Sequence, residues 1–209
     1  MQIFEFGERT SDILLIQPAD DHDLSMIESE AAAIRQLAGG DFHLIAARVR
    51  DWNRDLSPWQ APAVFGKEGF GDGAEDTLKE ILELAGGEKK KIILGGYSLA
   101  GLFALWAGYR TDCLAGIAAA SPSVWFPGFI GYMRKNEIKT GCVYLSLGDR
   151  EEKTRNQVMA KVGDCIREAH ELLNQEGIRC TLEWNEGNHF REPDLRTARA
   201  FAWVMNQIK

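Results

Sequence analysis

The run Lys91-Ile-Ile-Leu-Gly-Gly-Tyr-Ser-Leu-Ala-Gly-Leu-Phe-Ala-Leu-Trp106 decides the fold. Its first part, Ile92 to Gly95, is short and apolar throughout, as in a strand buried on both faces. From Leu99 to Tyr109 the chain is apolar nearly all round and too long for one strand, so it reads as a buried helix. Only Gly96, Tyr97 and Ser98 join the two. So short a connection forces a sharp turn in which strand and helix backbones nearly touch. Gly96 and Ala100, two residues either side of Ser98, are small enough for that approach.

The same alternation extends in both directions. Upstream, Ile13 to Gln17 is an apolar run, and Asp23 to Leu37 then repeats apolar residues at helical spacing until Gly39-Gly40 stops it. Phe42 to Val49 gives a strand and Ala74 to Leu84 a helix. Downstream, Leu114 to Ala119 and Cys142 to Leu147 read as strands and Val158 to Asn174 as a helix. Ile178 to Trp184 is the last strand, and Leu195 to Ile208 the closing helix. Met1 to Phe6 adds an antiparallel edge strand. Apolar strands alternating with helices call for a mostly parallel sheet covered on both faces. That is an α/β fold, a three-layer αβα sandwich, expected as one domain over residues 1–209.

Charge and composition narrow the partners. With 24 Lys plus Arg against 31 Asp plus Glu, the formal charge of −7 repels phosphate backbones, so nucleic acid is not an expected partner. The basic run Lys89-Lys90-Lys91 reads as the solvated entry to a buried strand. Glu5, Glu8, Arg9 and Asp12 interrupt the N-terminal stretch, which lacks the pattern of a signal peptide, and no segment is apolar for long enough to span a membrane. Cys113, Cys142, Cys165 and Cys180 are widely spaced and show neither a C-x-x-C pair nor zinc-type spacing. Reduced thiols, a cytoplasmic location, and no metal or cofactor are the expectation.

The turn at Gly96-Tyr97-Ser98-Leu99-Ala100 also carries the chemistry. It is a close variant of G-x-S-x-G, set directly between strand and helix as a nucleophile elbow requires. The elbow raises the Ser98 hydroxyl above the sheet and leaves the Leu99 amide to donate to a developing oxyanion. A serine needs a base, and for this elbow the order is nucleophile, acid, base. Among the four histidines only His189, in Glu186-Gly-Asn-His-Phe190, lies between the last strand and the last helix. The acid belongs after the Cys142 strand, in Gly148-Asp-Arg-Glu-Glu152. Glu151 is the first choice, by its offset from Gly148, and Asp149 the second. A second oxyanion donor is expected after the first parallel strand, at the backbone of Ala19 or else Asp20, since Pro18 has no N–H. The long stretch Arg50 to Gly73 carries Trp52, Trp59, Phe65 and Phe70. With Trp125 and Phe126, Trp52 and Trp59 are expected to shape an apolar pocket.

Taken together, Gly-Gly-Tyr-Ser-Leu-Ala-Gly-Leu-Phe-Ala104, Ala120-Ser-Pro-Ser-Val-Trp-Phe126, the Ser146-to-Glu152 loop and the late Gly-Asn-His189 resemble the α/β-hydrolase esterases of the esterase D-like, feruloyl and siderophore type. The resemblance implies a minimal α/β-hydrolase fold without a large lid. It also implies hydrolysis of a small-molecule carboxylic ester through an acyl-enzyme on Ser98, with His189 as base. Some members are similar yet work with a serine-histidine dyad. A non-catalytic binding protein, or an acyltransferase or thioesterase on the same site, are the competing readings.

Overall fold

The computed structural model describes residues 1–64, 66–86 and 90–208; Phe65 of the aromatic loop and Lys89 of the basic run lie outside them. The apolar runs become β1 (Gln2–Gly7), β2 (Ile13–Ala19), β3 (His43–Arg48), β4 (Lys91–Tyr97), β5 (Leu114–Ala120), β6 (Cys142–Gly148) and β7 (Arg179–Asn185). They form one sheet in the order β1-β3-β2-β4-β5-β6-β7, parallel except for β1, which runs antiparallel to β3 at the edge. Strand β4, which ends at the sharp turn, is therefore at the centre.

Successive strand residues point to opposite faces, and each face is covered. Leu14, Ile16, Leu94, Ile117 and Val143 pack beneath α3 (Ala74–Leu84), α4 (Leu99–Arg110) and α6 (Val162–Gln175). Leu15, Leu44, Ile93, Ala118 and Tyr144 pack beneath α1 (Asp21–Ala38) and α7 (Pro193–Gln207). The expected three-layer sandwich is thus what forms. Helix α1 starts on a reciprocal cap in which Asp20 accepts from the Asp23 amide at 2.9 Å, and it stops at Gly39 in the left-handed conformation. Gly95 lets α7 lie close, because a Cβ there would sit 2.7 Å from the Phe201 ring.

Periodicity failed where turns are short. Within Arg50 to Gly73 the chain forms a four-residue helix, α2 (Trp52–Asp55), capped by Asp51 accepting from Arg54 N–H at 3.0 Å. Ala61 then bridges Phe70, whose ring meets Trp125 and Phe126 edge-on. The excursion is pinned to the core by aromatic packing. Another short helix, α5 (Phe129–Met133), follows β5. The segment expected as one helix from Val158 begins as a 3-10 turn, Met159–Lys161, before α6. Among the cysteines Cys142 is buried, Cys165 and Cys180 are half-buried and Cys113 is exposed. No helix among the described residues is long and apolar enough to cross a membrane.

One polar feature lies inside the α1 face. Glu30 is buried, its carboxylate accepting only a long 3.4 Å bond from Gln17 Nε2, and Glu30 Oε1 and Gln17 Oε1 have no partner. Burial pushes the Glu30 carboxyl well above its ordinary value, with the Asp23 and Asp194 charges adding to the rise. Burial, helped by Asp20, likewise pushes Asp23 up to about 6.

Candidate active site

The end of β4 and the start of α4 meet as tightly as the small residues suggested. Ser98 has φ 57° and ψ −116°, a left-handed backbone that costs a non-glycine residue ~1–3 kcal/mol. The surroundings enforce it. Ser98 N–H donates to Ala120 O at 3.1 Å, and Ser98 O accepts from Ser123 N–H and Leu102 N–H, both at 3.0 Å. A Cβ on Gly96 would lie 2.7 Å from the Ala100 Cβ, and one on Gly101 3.0 Å from Gly96 O. No larger residue fits between strand and helix without moving one of them.

His189 reaches this serine from 91 residues away: its Nε2 is 2.9 Å from Ser98 Oγ. Its Nδ1 is 2.6 Å from Glu151 Oε2. A carboxylate only accepts, so Nδ1 carries the proton and donates it to Glu151, which leaves Nε2 free to accept from the Ser98 hydroxyl. The backbone carbonyl of His189 is anchored by Tyr97 Oη at 2.8 Å. Burial, aided by the nearby Glu151 charge, pushes the Tyr97 phenol up to about 12, so it stays a donor.

The two acid candidates divide their work. Glu151 turns back over the β6 end. Its Oε1 accepts from Gly148 N–H at 2.7 Å, Ser121 Oγ at 2.8 Å and Arg196 Nη1 at 3.0 Å, which leaves Oε2 for the imidazole. Asp149 faces the other way. Its Oδ1 accepts from Gly187 N–H at 2.7 Å, and its own N–H donates to Asn185 O at 2.8 Å, so it ties the loop after β6 to the loop that carries His189. Among the described residues its hydrogen-bond partners are Gly187 and Asn185, not the imidazole.

Arg196 was not anticipated. It is 1% exposed, and besides Glu151 it donates to Tyr97 Oη at 3.0 Å and to the Glu186 carbonyl at 3.1 Å. The signal was available: Arg196 stands four and eight residues before Ala200 and Val204, on the buried face of α7. A charge on such a face implies a buried partner. Ser123 was also missed; its hydroxyl is 3.3 Å from that of Ser98, and a serine in a loop carries no sequence signal of its own.

Ser98 opens into a cleft of about 370 Å³, walled chiefly by Ser123, Trp125, Met159, Val162, His189 and Phe190. Trp125 forms part of the cleft wall. The other aromatic expectations need correction. Trp59 packs against Phe126, Phe129 and Tyr132 with Nε1 donating to Pro127 O at 2.9 Å, Phe126 is buried beneath it, and Trp52 packs half-buried on the α4 side of the core. None of these three lines the cleft. Their apolar area is spent holding the loops, which sequence spacing could not distinguish from lining a pocket.

Leu99 N–H lies in the first turn of α4, where helix geometry supplies no intrahelical acceptor. Ala19 ends β2, the strand beside β4, with its carbonyl accepting from Val49 N–H at 3.1 Å. It is not part of the cleft wall. Among the described residues no cluster of three or more His, Cys, Asp or Glu is placed to hold a metal ion.

No protein-family model and no curated protein matches the sequence. Solved structures do. The chain is similar to the siderophore hydrolase EstA from Aspergillus nidulans, with a TM-score of 0.72 and 17% identity over 98% of this chain and 94% of that one. An IroE-like serine hydrolase from Shewanella oneidensis gives 0.71 and 15% over 98% and 74%. The siderophore hydrolase EstB from Aspergillus nidulans gives 0.66 and 20% over 96% and 84%. At such identities the likeness shows the fold alone, a compact α/β-hydrolase-like sandwich.

Proposed function

We propose that this chain is a serine hydrolase of small carboxylic esters. One observation carries the reading: Ser98 Oγ, both ring nitrogens of His189 and Glu151 Oε2 form an unbroken line of hydrogen bonds, at 2.9 and 2.6 Å, opening into a cleft. A half-buried serine hydroxyl has no structural need of a partner so elaborately oriented, whereas a nucleophile does.

His189 Nε2 takes the Ser98 proton as Oγ bonds to the ester carbonyl carbon, and the carbonyl oxygen becomes an oxyanion. Leu99 N–H, at the positive end of α4, stabilises it; of the other two amides considered, Asp20 N–H turns to Asp23 in the α1 cap and Ala19 lies outside the cleft wall. The carbon–oxygen bond to the alcohol breaks as Nε2 returns its proton to the leaving oxygen. Water then attacks the acyl-enzyme, passes a proton to Nε2, and the acid departs as Ser98 regains its hydrogen. Throughout, Glu151 holds the Nδ1 proton and stabilises the imidazolium. No step calls for a metal or cofactor. Four cysteines free of disulfides fit a reducing, cytoplasmic setting.

A fluorophosphonate probe tests the reading. The native chain should label at Ser98 and hydrolyse a short p-nitrophenyl ester. Ser98→Ala and His189→Ala should each retain the native melting temperature within a few degrees while kcat/KM falls by ~10⁴-fold or more. Retained turnover in either variant, or a native chain that neither labels nor turns over, overturns it.

A further inference from the structure

From the character of the cleft walls we infer that the site is selective for esters whose acyl group is uncharged and apolar, a short alkyl chain or a single ring, and that it excludes anionic acyl groups. The inference rests on the serine-hydrolase reading and narrows it to a substrate class.

Three observations bear on it. The surfaces facing Ser98 are the side chains of Trp125, Met159, Val162 and Phe190, supplemented by small serine hydroxyls. Neither Lys nor Arg belongs to the lining among the described residues, and its sole carboxylate, Glu151, is already engaged by four donors. Arg196, which pairs with Glu151, is 1% exposed and cannot turn toward a ligand without abandoning Tyr97 and the Glu186 carbonyl. A carboxylate on the substrate would leave water with no counter-charge, which is strongly unfavourable. The acidic surface, at −7 overall, would also slow its approach.

Phe190 adds the third point. It directly follows the base, stands edge-on to the His189 ring at 5.7 Å, and is 87% exposed. A phenyl ring held that far into solvent beside the reacting atoms is a surface that an apolar ligand would cover. A volume of about 370 Å³ is at the small end for ligand sites and suits a compact group.

The test compares p-nitrophenyl esters that share one leaving group: acetate, butanoate, hexanoate, benzoate, and the matched pair levulinate and hemisuccinate, in which a methyl replaces the charged oxygen. Fluorophosphonate labelling is followed in parallel. The expected result is kcat/KM rising about fourfold per buried methylene from acetate to hexanoate. Benzoate should be accepted, and levulinate preferred to hemisuccinate by ~100-fold or more. Phe190→Ala should flatten the rise along the alkyl series. Hemisuccinate turned over as fast as levulinate, with Ser98 still labelled, overturns the substrate inference and leaves the hydrolase reading standing. Absence of labelling and of all turnover overturns the hydrolase reading itself.

Discussion

The elbow at the end of β4 and the paired loops after β6 and β7 meet where Ser98 and Tyr97 both bond to His189, yet they are built on different principles. The elbow is held by close approach: Gly96, Ala100 and Gly101 leave little room between strand and helix, and backbone bonds to Ala120, Leu102 and Ser123 keep Ser98 at φ 57°. The loops are held by bonding. Glu151, Ser121, Tyr97 and Arg196 bond to one another, and Asp149 to Gly187, over separations of 30 to 99 residues. Sterics of this kind act between near neighbours in sequence, whereas a polar network exists only once distant strands are side by side. Substitutions should therefore behave differently in the two regions.

The largest contrast lies within one loop. Glu151→Gln keeps the size of the side chain but can no longer accept the Nδ1 proton as a carboxylate, so His189 is free to take the wrong tautomer. The expected loss in kcat is ~10³–10⁴-fold. Asp149→Asn keeps an oxygen for Gly187 N–H and should lose no more than about tenfold. Steady-state kinetics with one ester decides it. If Asp149→Asn were the more damaging, the roles drawn from the hydrogen bonds would be reversed, and a loss of less than tenfold for Glu151→Gln would make the site a serine-histidine dyad.

Next comes the elbow itself. In Gly96→Ala the new Cβ would lie 2.7 Å from that of Ala100, and the φ of 154° is one that residues with a side chain rarely adopt. Overpacking of this kind costs about 1–3 kcal/mol. For a chain of this length each kcal/mol lowers Tm by about 2–4 °C. Activity should fall by ~10²-fold through displacement of Ser98, with fluorophosphonate labelling slowed in proportion. Equal labelling rates would show that the elbow tolerates a wider approach than its contacts suggest.

The same division explains what could be read from the sequence. Strands β2 to β7, the helices α1, α3, α4 and α7, and the elbow announce themselves through local periodicity and small residues at fixed spacing. His189 follows from chain order. What escaped were α2 and α5, too short to show a period, and residues such as Arg196 and Ser123, whose partners lie far off in the chain. Trp59 illustrates the limit: whether an aromatic in a loop faces ligand or core depends on Phe126, Phe129 and Tyr132, 67 or more residues away. Arg196 was detectable in principle, as a charge on an apolar helix face, but its partner was not.

Arg196→Lys probes how firmly the loop network must be held. A lysine keeps the charge near Glu151 but cannot donate in the forked pattern that also reaches Tyr97 and the Glu186 carbonyl. The expected result is a kcat lower by about tenfold to a hundredfold, with KM within about twofold, because geometry at the base changes while the cleft walls do not. A KM effect without a kcat effect would instead assign the guanidinium to ligand binding.

The smallest effect belongs to neither region and separates their geometry from the stability of the fold. Glu30 is buried between α1 and β2 with its carboxyl pushed well above the ordinary value, so the folded chain retains a proton that the unfolded chain has lost. A raised carboxyl favours folding below its unfolded value near 4.5, and that contribution disappears as pH rises through the folded value. Asp23, at about 6 against 3.8, acts in the same sense across that narrower range. Glu30→Gln replaces a group that must ionise under burial with one that never does. Its Tm should therefore match the native chain at pH 4 and exceed it at pH 8. Because Glu30 touches neither Ser98 nor the loop network, kcat and KM should remain those of the native chain at both pH values. A gain that was the same at pH 4 and pH 8 would place the benefit in packing and not in the proton.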